Sequence, residues 1–167
     1  MGLLISDTCI LIDLLNGGLL NMLCKLPYDL GVSDALLYGI DDDGSELIIP
    51  NSEQVLKAGF QVYSLNSSEI IEVYELNAKY CRPSLNDIFG LVVAKKNNAV
   101  LLTSDRSLRK SALKENVEVR GILWILDEMV NNNVFDKETA TKSLNKILDG
   151  GSYLPKNECN KRFEKWK

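Results

Sequence analysis

Three aspartates sit where an apolar run or a turn gives way to a new element: Asp7 after Leu3-Leu4-Ile5-Ser6, Asp87 after Pro83-Ser84-Leu85-Asn86, and Asp105 after Val100-Leu101-Leu102-Thr103-Ser104. Carboxylates placed where strands stop and helices begin can converge on one edge of a sheet. Converging carboxylates hold a divalent metal, because hard cations prefer oxygen ligands. Taken singly, each aspartate is equally well explained as a helix N-terminal residue, bonding free backbone N–H groups and meeting the positive end of the helix dipole. Taken together, their order and the apolar strands before Asp7 and Asp105 favour one shared site that only the fold can assemble.

The chain has no histidine. Ser-His-Asp and Cys-His catalysis, histidine-paired ribonuclease chemistry and histidine-ligated zinc hydrolysis are therefore excluded. A hydrolase built on this sequence must use carboxylates, lysines or a metal. Cys9, Cys24, Cys81 and Cys159 form no C-x-x-C pair, and with Cys9 and Cys24 in apolar helical pattern the cysteines are expected to be reduced, mostly structural thiols.

The elements that must position the aspartates alternate between strand and helix. Leu3 to Ser6 reads as a strand, followed by a helix through Ile10, Leu11, Leu14 and Leu15 that breaks at Gly17-Gly18. A second helix is expected over Leu19 to Leu26, ending before Pro27. Tyr28 to Ser33 reads as a strand, Asp34 to Ile40 as a short helix, and Asp41-Asp42-Asp43-Gly44 as a turn. Leu47 to Ile49 is a candidate strand, Ser52 to Ala58 a helix, Phe60 to Leu65 a strand, and a helix follows from Asn66 or Ser67 to near Tyr80.

Ser84 is placed to cap the next helix, with Asp87 at its third position in a capping box and Asn97-Asn98 at its end. Ala99 to Thr103 is continuously apolar, as a strand buried on both faces of a parallel sheet must be. Ser104 or Asp105 caps a helix to Lys114, Val117 to Val119 is a strand, and Ile122 to Val130 a helix. From Asp136 onward the pattern is helical only. This order predicts a three-layer α/β/α domain over residues 1–130, with a central, mostly parallel sheet and right-handed crossovers, and a C-terminal helical extension over residues 131–167 packed on it.

At 167 residues, 46% hydrophobic and 25% charged, the chain is the size of one full domain. Asp7 and Asp13 interrupt the only N-terminal apolar stretch, which also lacks the basic opening and cleavage site of a signal peptide. No membrane association and a cytoplasmic location are expected.

Ser6-Asp7-Thr8-Cys9-Ile10-Leu11-Ile12-Asp13 resembles the opening motif of PIN-domain nucleases, Ser84 to Ala94 their central acidic helix, and Leu101-Leu102-Thr103-Ser104-Asp105-Arg106-Ser107-Leu108 their third motif. Arg120-Gly121-Ile122-Leu123-Trp124-Ile125-Leu126-Asp127 is similar to the segment after the last strand in a bacterial and archaeal subgroup. The resemblance covers about residues 1–130, and three motifs in order make it fairly specific. It implies a PIN-like fold and a metal-dependent endoribonuclease, similar to the toxin nucleases of type II toxin-antitoxin modules. Its cofactor would be Mg²⁺ or Mn²⁺, its substrate RNA and its protein partner an antitoxin. Asp7, Asp87 and Asp105 would be the catalytic acids, with Asp7 and Asp105 as metal ligands and Asp87 completing the cluster directly or through water.

The sequence departs from the family pattern at one place. The short helix after the second strand should carry a glutamate, and Tyr38 and Gly39 stand there instead. Asp34, one helical turn earlier, either substitutes or simply caps its helix. The alternative function is accordingly a catalytically weak or inactive PIN-like module that binds RNA or protein. A carboxylate phosphatase would want a D-x-D pair, and Cys9 stands where the second aspartate would fall.

Thr8, Thr103 and Ser104 flank two of the aspartates, with capping as their simplest role. Asp13 is expected to be solvated or ion-paired. The net charge of -4 says little about RNA, since local potential decides encounter. Lys95, Lys96, Arg106, Arg109, Lys110, Lys114 and Arg120 surround the third motif in sequence and either track a phosphate backbone or form a solvated face. In the tail, the helix Asp136 to Leu148 and a last basic helix after Leu154-Pro155 present Phe163 and Trp166. Packing onto the domain is the favoured role of that tryptophan, ahead of a partner or a second copy of the chain in a homodimer.

Overall fold

The computed structural model describes residues 2–38 and 51–167. In chain order these form β1 (Leu3–Ser6), α1 (Thr8–Asn16), a single 3-10 turn (Leu23–Lys25), β2 (Asp29–Ser33), α2 (Asp34–Tyr38), α3 (Ser52–Lys57), β3 (Gln61–Tyr63) and α4 (Ser67–Lys79). They continue with α5 (Leu85–Lys96), β4 (Val100–Leu102), α6 (Arg106–Lys114), β5 (Val119–Arg120), α7 (Ile122–Asn131), α8 (Lys137–Asp149) and α9 (Lys156–Lys165). The expected turn at Asp41-Asp42-Asp43-Gly44, the strand at Leu47 to Ile49 and the helix end at Ile40 fall outside the described residues.

The five strands pair in parallel in the order β3-β2-β1-β4-β5. The chain steps outward from β1 through β2 to β3, then crosses back to β4 on the other side of β1. The reversal of strand order therefore lies between β1 and β4, and in open parallel sheets a crevice opens there at the strands' carboxyl ends. Ser6 pairs with Leu102, so the next residues along, Asp7 and Thr103, stand side by side at that crevice.

Strand alternation divides the core into two layers. Leu4 and Leu102 face one apolar cluster with Ile10, Leu11 and Leu14 of α1, Ile122, Ile125 and Met129 of α7, and Ala140, Leu144 and Ile147 of α8. Ile5 and Leu101 face the other, with Val73 of α4, Ile88 to Ala94 of α5 and Leu108 and Ala112 of α6. Each fully buried leucine or isoleucine contributes about 1.5–3 kcal/mol. Gly31 makes the passage of β2 possible: a Cβ there would stand 2.6 Å from the Tyr63 ring and 2.7 Å from Ile5.

The helix expected at Leu19 to Leu26 is only a 3-10 turn at Leu23–Lys25. Gly18 opens the stretch at φ +70° and Pro27 closes it, and Leu19, Leu20, Leu23 and Leu26 all plug the core between them. Asn98, Asn116 and Asn133, with φ of 48°, 60° and 56°, take the left-handed conformation just past α5, α6 and α7, where asparagine substitutes for glycine at low cost.

Helix α8 packs against α1 and α7, and α9 joins the same cluster through Cys159 and Trp166. All four cysteines are free, but only Cys159 is buried. Cys9, Cys24 and Cys81 are exposed, contrary to their reading as structural thiols, because Ile10, Leu11 and Leu14 supply the inward face of α1 and leave Cys9 outward. Among the described residues no helix is long and apolar enough to cross a membrane.

Candidate active site

The three sequence-singled aspartates are each part of a helix N-terminus at the carboxyl edge of the sheet. Asp7 caps α1, its Oδ1 accepting the Ile10 N–H at 2.9 Å. Asp105 caps α6, its Oδ1 accepting the Leu108 N–H at 2.9 Å and the Ser107 hydroxyl at 2.6 Å. Asp87 is the third residue of α5 in a complete capping box: its N–H donates to Ser84 Oγ at 3.1 Å and its Oδ2 accepts the Ser84 N–H at 3.2 Å. The capping and the converging roles are thus both present. Among the described residues no hydrogen bond engages Asp87 Oδ1 or Asp105 Oδ2, which leaves one oxygen of each for water or a cation.

Asp7 senses the charges of Asp87 and Asp105, and Asp87 that of Asp105. Burial, opposed by the bonds from Thr103 and Ile10, and then the carboxylates of Asp87 and Asp105, push Asp7 up to about 7. Asp87 is raised first by burial and further by Asp105, against the bonds from Ser84. Asp105 is pushed up by burial too, yet the Ser107 and Leu108 donors outweigh it and hold the carboxyl below its ordinary value. The thiol of exposed Cys9, desolvated by the walls around it, is pushed up to about 12, and the carboxylates of Asp7, Asp87, Asp105 and Asp13 all add to the shift. It is a bystander in an acidic field, protonated and therefore a poor nucleophile.

Thr103 ties two motifs together. Its buried hydroxyl donates to Asp7 Oδ2 and accepts the Asp105 N–H at 3.0 Å. Its capping role in sequence is therefore incomplete: one hydroxyl ties the Asp7 carboxylate to the Asp105 backbone N–H. The signal for it was the register of β1 and β4, which a single sequence does not display.

Asp13 is neither solvated nor ion-paired. It is 5% exposed, raised by burial, and receives the Ser152 hydroxyl at 3.2 Å from the link between α8 and α9. The buried Ser104 hydroxyl lies close enough to lower its pKa, although it completes no well-aligned hydrogen bond. Asp34 does not cap α2; Ser33 does, its Oγ accepting the Leu36 N–H at 3.1 Å, while Asp34 Oδ1 turns back to the Ala35 N–H at 2.7 Å. The carboxylates that raise Asp7 are those of Asp87 and Asp105, not Asp34. Tyr38 is exposed, and Gly39 lies outside the described residues.

The basic residues divide. Lys95 and Lys96 do not surround the site, since they close α5 at its other end and pair with Glu72 and Glu115. Arg106, Arg109 and Arg120 border a cavity that Thr103 and Ser104 also line.

Among the described residues no group of three or more His, Cys, Asp or Glu side chains is drawn close enough to cage a metal ion. The donors fit a looser arrangement. Mg²⁺ keeps several waters and binds through one or two carboxylates, and a divalent cation would offset the burial of the Asp7 charge and the smaller repulsion from Asp87 and Asp105.

The family model DUF3368, described as a PIN domain, matches residues 3–167. No curated protein matches the chain.

Proposed function

The chain belongs to the PIN-domain family, and from that premise we propose that it is a divalent-metal-dependent endoribonuclease whose site is Asp7, Asp87 and Asp105. The observation that supports this reading is geometric: Asp7 is buried at the switch point of the sheet, its carboxylate joined through the Thr103 hydroxyl to the Asp105 backbone, with Asp7, Asp87 and Asp105 each at the N-terminus of a helix. Asp7 and Asp105 would hold Mg²⁺ or Mn²⁺, with Asp87 joining directly or through water. When bound, the cation supplies Lewis acidity that activates water and neutralises charge gathering on the phosphate.

The protein's own groups set the geometry. Thr103 orients the Asp7 carboxylate and anchors the Asp105 backbone N–H through one hydroxyl. Ser107 and the Leu108 N–H keep Asp105 ionised, and the positive ends of α1, α5 and α6 lower the cost of gathering negative charge. Asp7 sits near its titration point at neutral pH, so it can shed its proton to meet a cation or accept one from water.

The test is cleavage of single-stranded RNA with Mg²⁺, Mn²⁺ or EDTA, comparing wild type with Asp7→Asn and Asp105→Asn. Metal-dependent cleavage lost in both variants supports the enzyme. A second reading, a binding module without catalysis, draws on Tyr38 and Gly39 standing where the family carries a glutamate. RNA binding without cleavage under both metals would establish it. The toxin role predicts a neighbouring gene for a small DNA-binding antitoxin and a complex between the two proteins. Light scattering reads whether the chain alone pairs with a second copy.

A further inference from the structure

A cavity of about 470 Å³ opens beside the acidic cluster and shares Thr103 and Ser104 with it. Its other walls come from β5, the first turns of α6, the start of α7, the link between α8 and α9, and α9 itself. Four arginines border it, and they differ in what they are free to do. Arg120 pairs with Glu118 at 2.8 Å and leans over the Trp124 ring at 5.8 Å. Arg162 pairs with Asp127 at 2.8 Å and Glu158 at 2.7 Å. Arg106 and Arg109 are exposed and make no ion pair among the described residues. Arg109 reaches toward Gly121, also a lining residue, its Nη2 3.5 Å from where a Cβ there would stand.

The aromatic rings divide in the same way. Trp124 is half-buried, with Tyr28 at 5.7 Å and Arg120 already against it. Tyr153 is 89% exposed, yet its backbone is pinned on both sides: Ser152 donates to Asp13 at 3.2 Å and Leu154 packs against the core. A held backbone that projects a free ring over a cavity with two free guanidinium groups has the chemistry of a single-stranded nucleic acid site. Bases stack on exposed aromatics and phosphates pair with arginine forks.

We infer that this cavity holds one nucleotide of the RNA strand next to the cleaved phosphate, its base stacked on Tyr153 and its phosphates held by Arg106 and Arg109. The inference rests on the nuclease reading, since the strand must pass the aspartates. An acidic peptide would satisfy the arginines but leave the ring without a purpose.

The experiment measures binding of a fluorescent single-stranded hexaribonucleotide to the full chain in EDTA, then single-turnover cleavage with Mn²⁺. Tyr153→Ala is expected to weaken binding about tenfold, with Tyr153→Phe within about twofold of wild type. Arg106→Ala and Arg109→Ala should each weaken it and reduce the slope of log K against log salt by about 0.7 for each phosphate that is no longer neutralised. Both sites are exposed, so the fold should survive the changes. Wild-type binding by Tyr153→Ala and by the double arginine variant overturns the assignment, as does tighter binding of a polyglutamate peptide than of RNA. If wild type cleaves while those variants bind unchanged, only the cavity assignment falls. Tyr153-dependent RNA binding without cleavage sinks the nuclease and with it the place beside a cleaved phosphate, leaving the cavity as an RNA-binding site, and a wild type that does neither overturns both.

Discussion

Helices α5 and α6 run from one edge of the parallel sheet to the other, and the acids at their two ends meet opposite conditions. At the carboxyl edge, Asp87 and Asp105 gather with Asp7, and no lysine or arginine pairs with any of them among the described residues. At the amino edge, Glu115 closes α6 and accepts the Tyr80 hydroxyl at 2.6 Å, Lys79 at 2.9 Å and Lys95 at 3.1 Å, while Glu72 of α4 takes Lys95 at 2.7 Å and Lys96 at 3.0 Å. Glu115 is held down at about 2, first by the Tyr80 hydroxyl and then by the lysines, and Glu72 is lowered chiefly by Lys95. Asp7 goes the other way, to about 7. Paired acids at one edge tie helices together; at the other, Asp7 and Asp87 carry charge that burial disfavours, as acids of functional sites commonly do.

The largest effect that separates the edges is on cleavage. Asp7→Asn is expected to lower metal-dependent RNA cleavage about a hundredfold or more, by removing a ligand from the cluster, while Glu115→Gln stays within about twofold of wild type. Equal losses in the two variants would erase the distinction.

Stability should respond in the opposite sense. The folded pKa of Asp7, about 7, lies above the ordinary 3.8. Between those values the folded chain keeps a proton that the unfolded chain has released, so the stability of the metal-free protein falls as pH rises from about 4 to about 7 and levels off above. The full shift corresponds to at most about 4 kcal/mol. Urea unfolding in EDTA should therefore find Asp7→Asn more stable than wild type at pH 8 by a few kcal/mol and similar at pH 4. Mn²⁺ should narrow that gap by binding wild type in preference. Coincident unfolding curves at pH 8 in EDTA would mean that Asp7 is not strained by its site.

Glu115 supplies the mirror image on a smaller scale. Its folded pKa lies below the ordinary 4.5, so its contribution is complete above about pH 4.5 and is lost as pH falls toward 2. Glu115→Gln should cost about 1–2 kcal/mol at pH 7, since Lys79 and Lys95 remain partly exposed and the pairs are screened, and wild type and variant should converge near pH 2 to 3. A constant difference across that range would show that packing, not charge, is what the substitution removes.

How much of this was legible in the sequence follows from the range of each interaction. The Ser84-Asp87 box and the Asp105 cap are bonds across three residues; the box was readable, as was the apolar strand buried between two layers, and the cap was narrowed to Ser104 or Asp105. The bond from Thr103 to Asp7 spans 96 residues and depends on the register of β1 against β4. The burial of Asp13 depends on Ser152, 139 residues away. Lys95 and Lys96 lie near the third motif in sequence, yet α5 carries them to the opposite edge because a helix between parallel strands runs antiparallel to them. Local chemistry showed in the sequence, and whatever depended on which strand lies beside which did not.

Thr103→Val offers the smallest and most discriminating test of the carboxyl edge. The side chain keeps its shape, and all three carboxylates remain. What disappears is the bond to Asp7 Oδ2 and the acceptor for the Asp105 N–H. The lost donor had favoured the charged form of Asp7, so the pKa of Asp7 should rise further in the variant. The difference in metal-free stability between pH 5 and pH 8 should then widen by about 1 kcal/mol. Cleavage should fall only about tenfold, as for other changes that disturb the orientation of a ligand without removing it. A loss as large as that of Asp7→Asn would place the hydroxyl on the reacting groups themselves. An unchanged pH dependence would mean that the bridge holds the backbone of the β4–α6 turn and leaves Asp7 to be set by burial and its two neighbours alone.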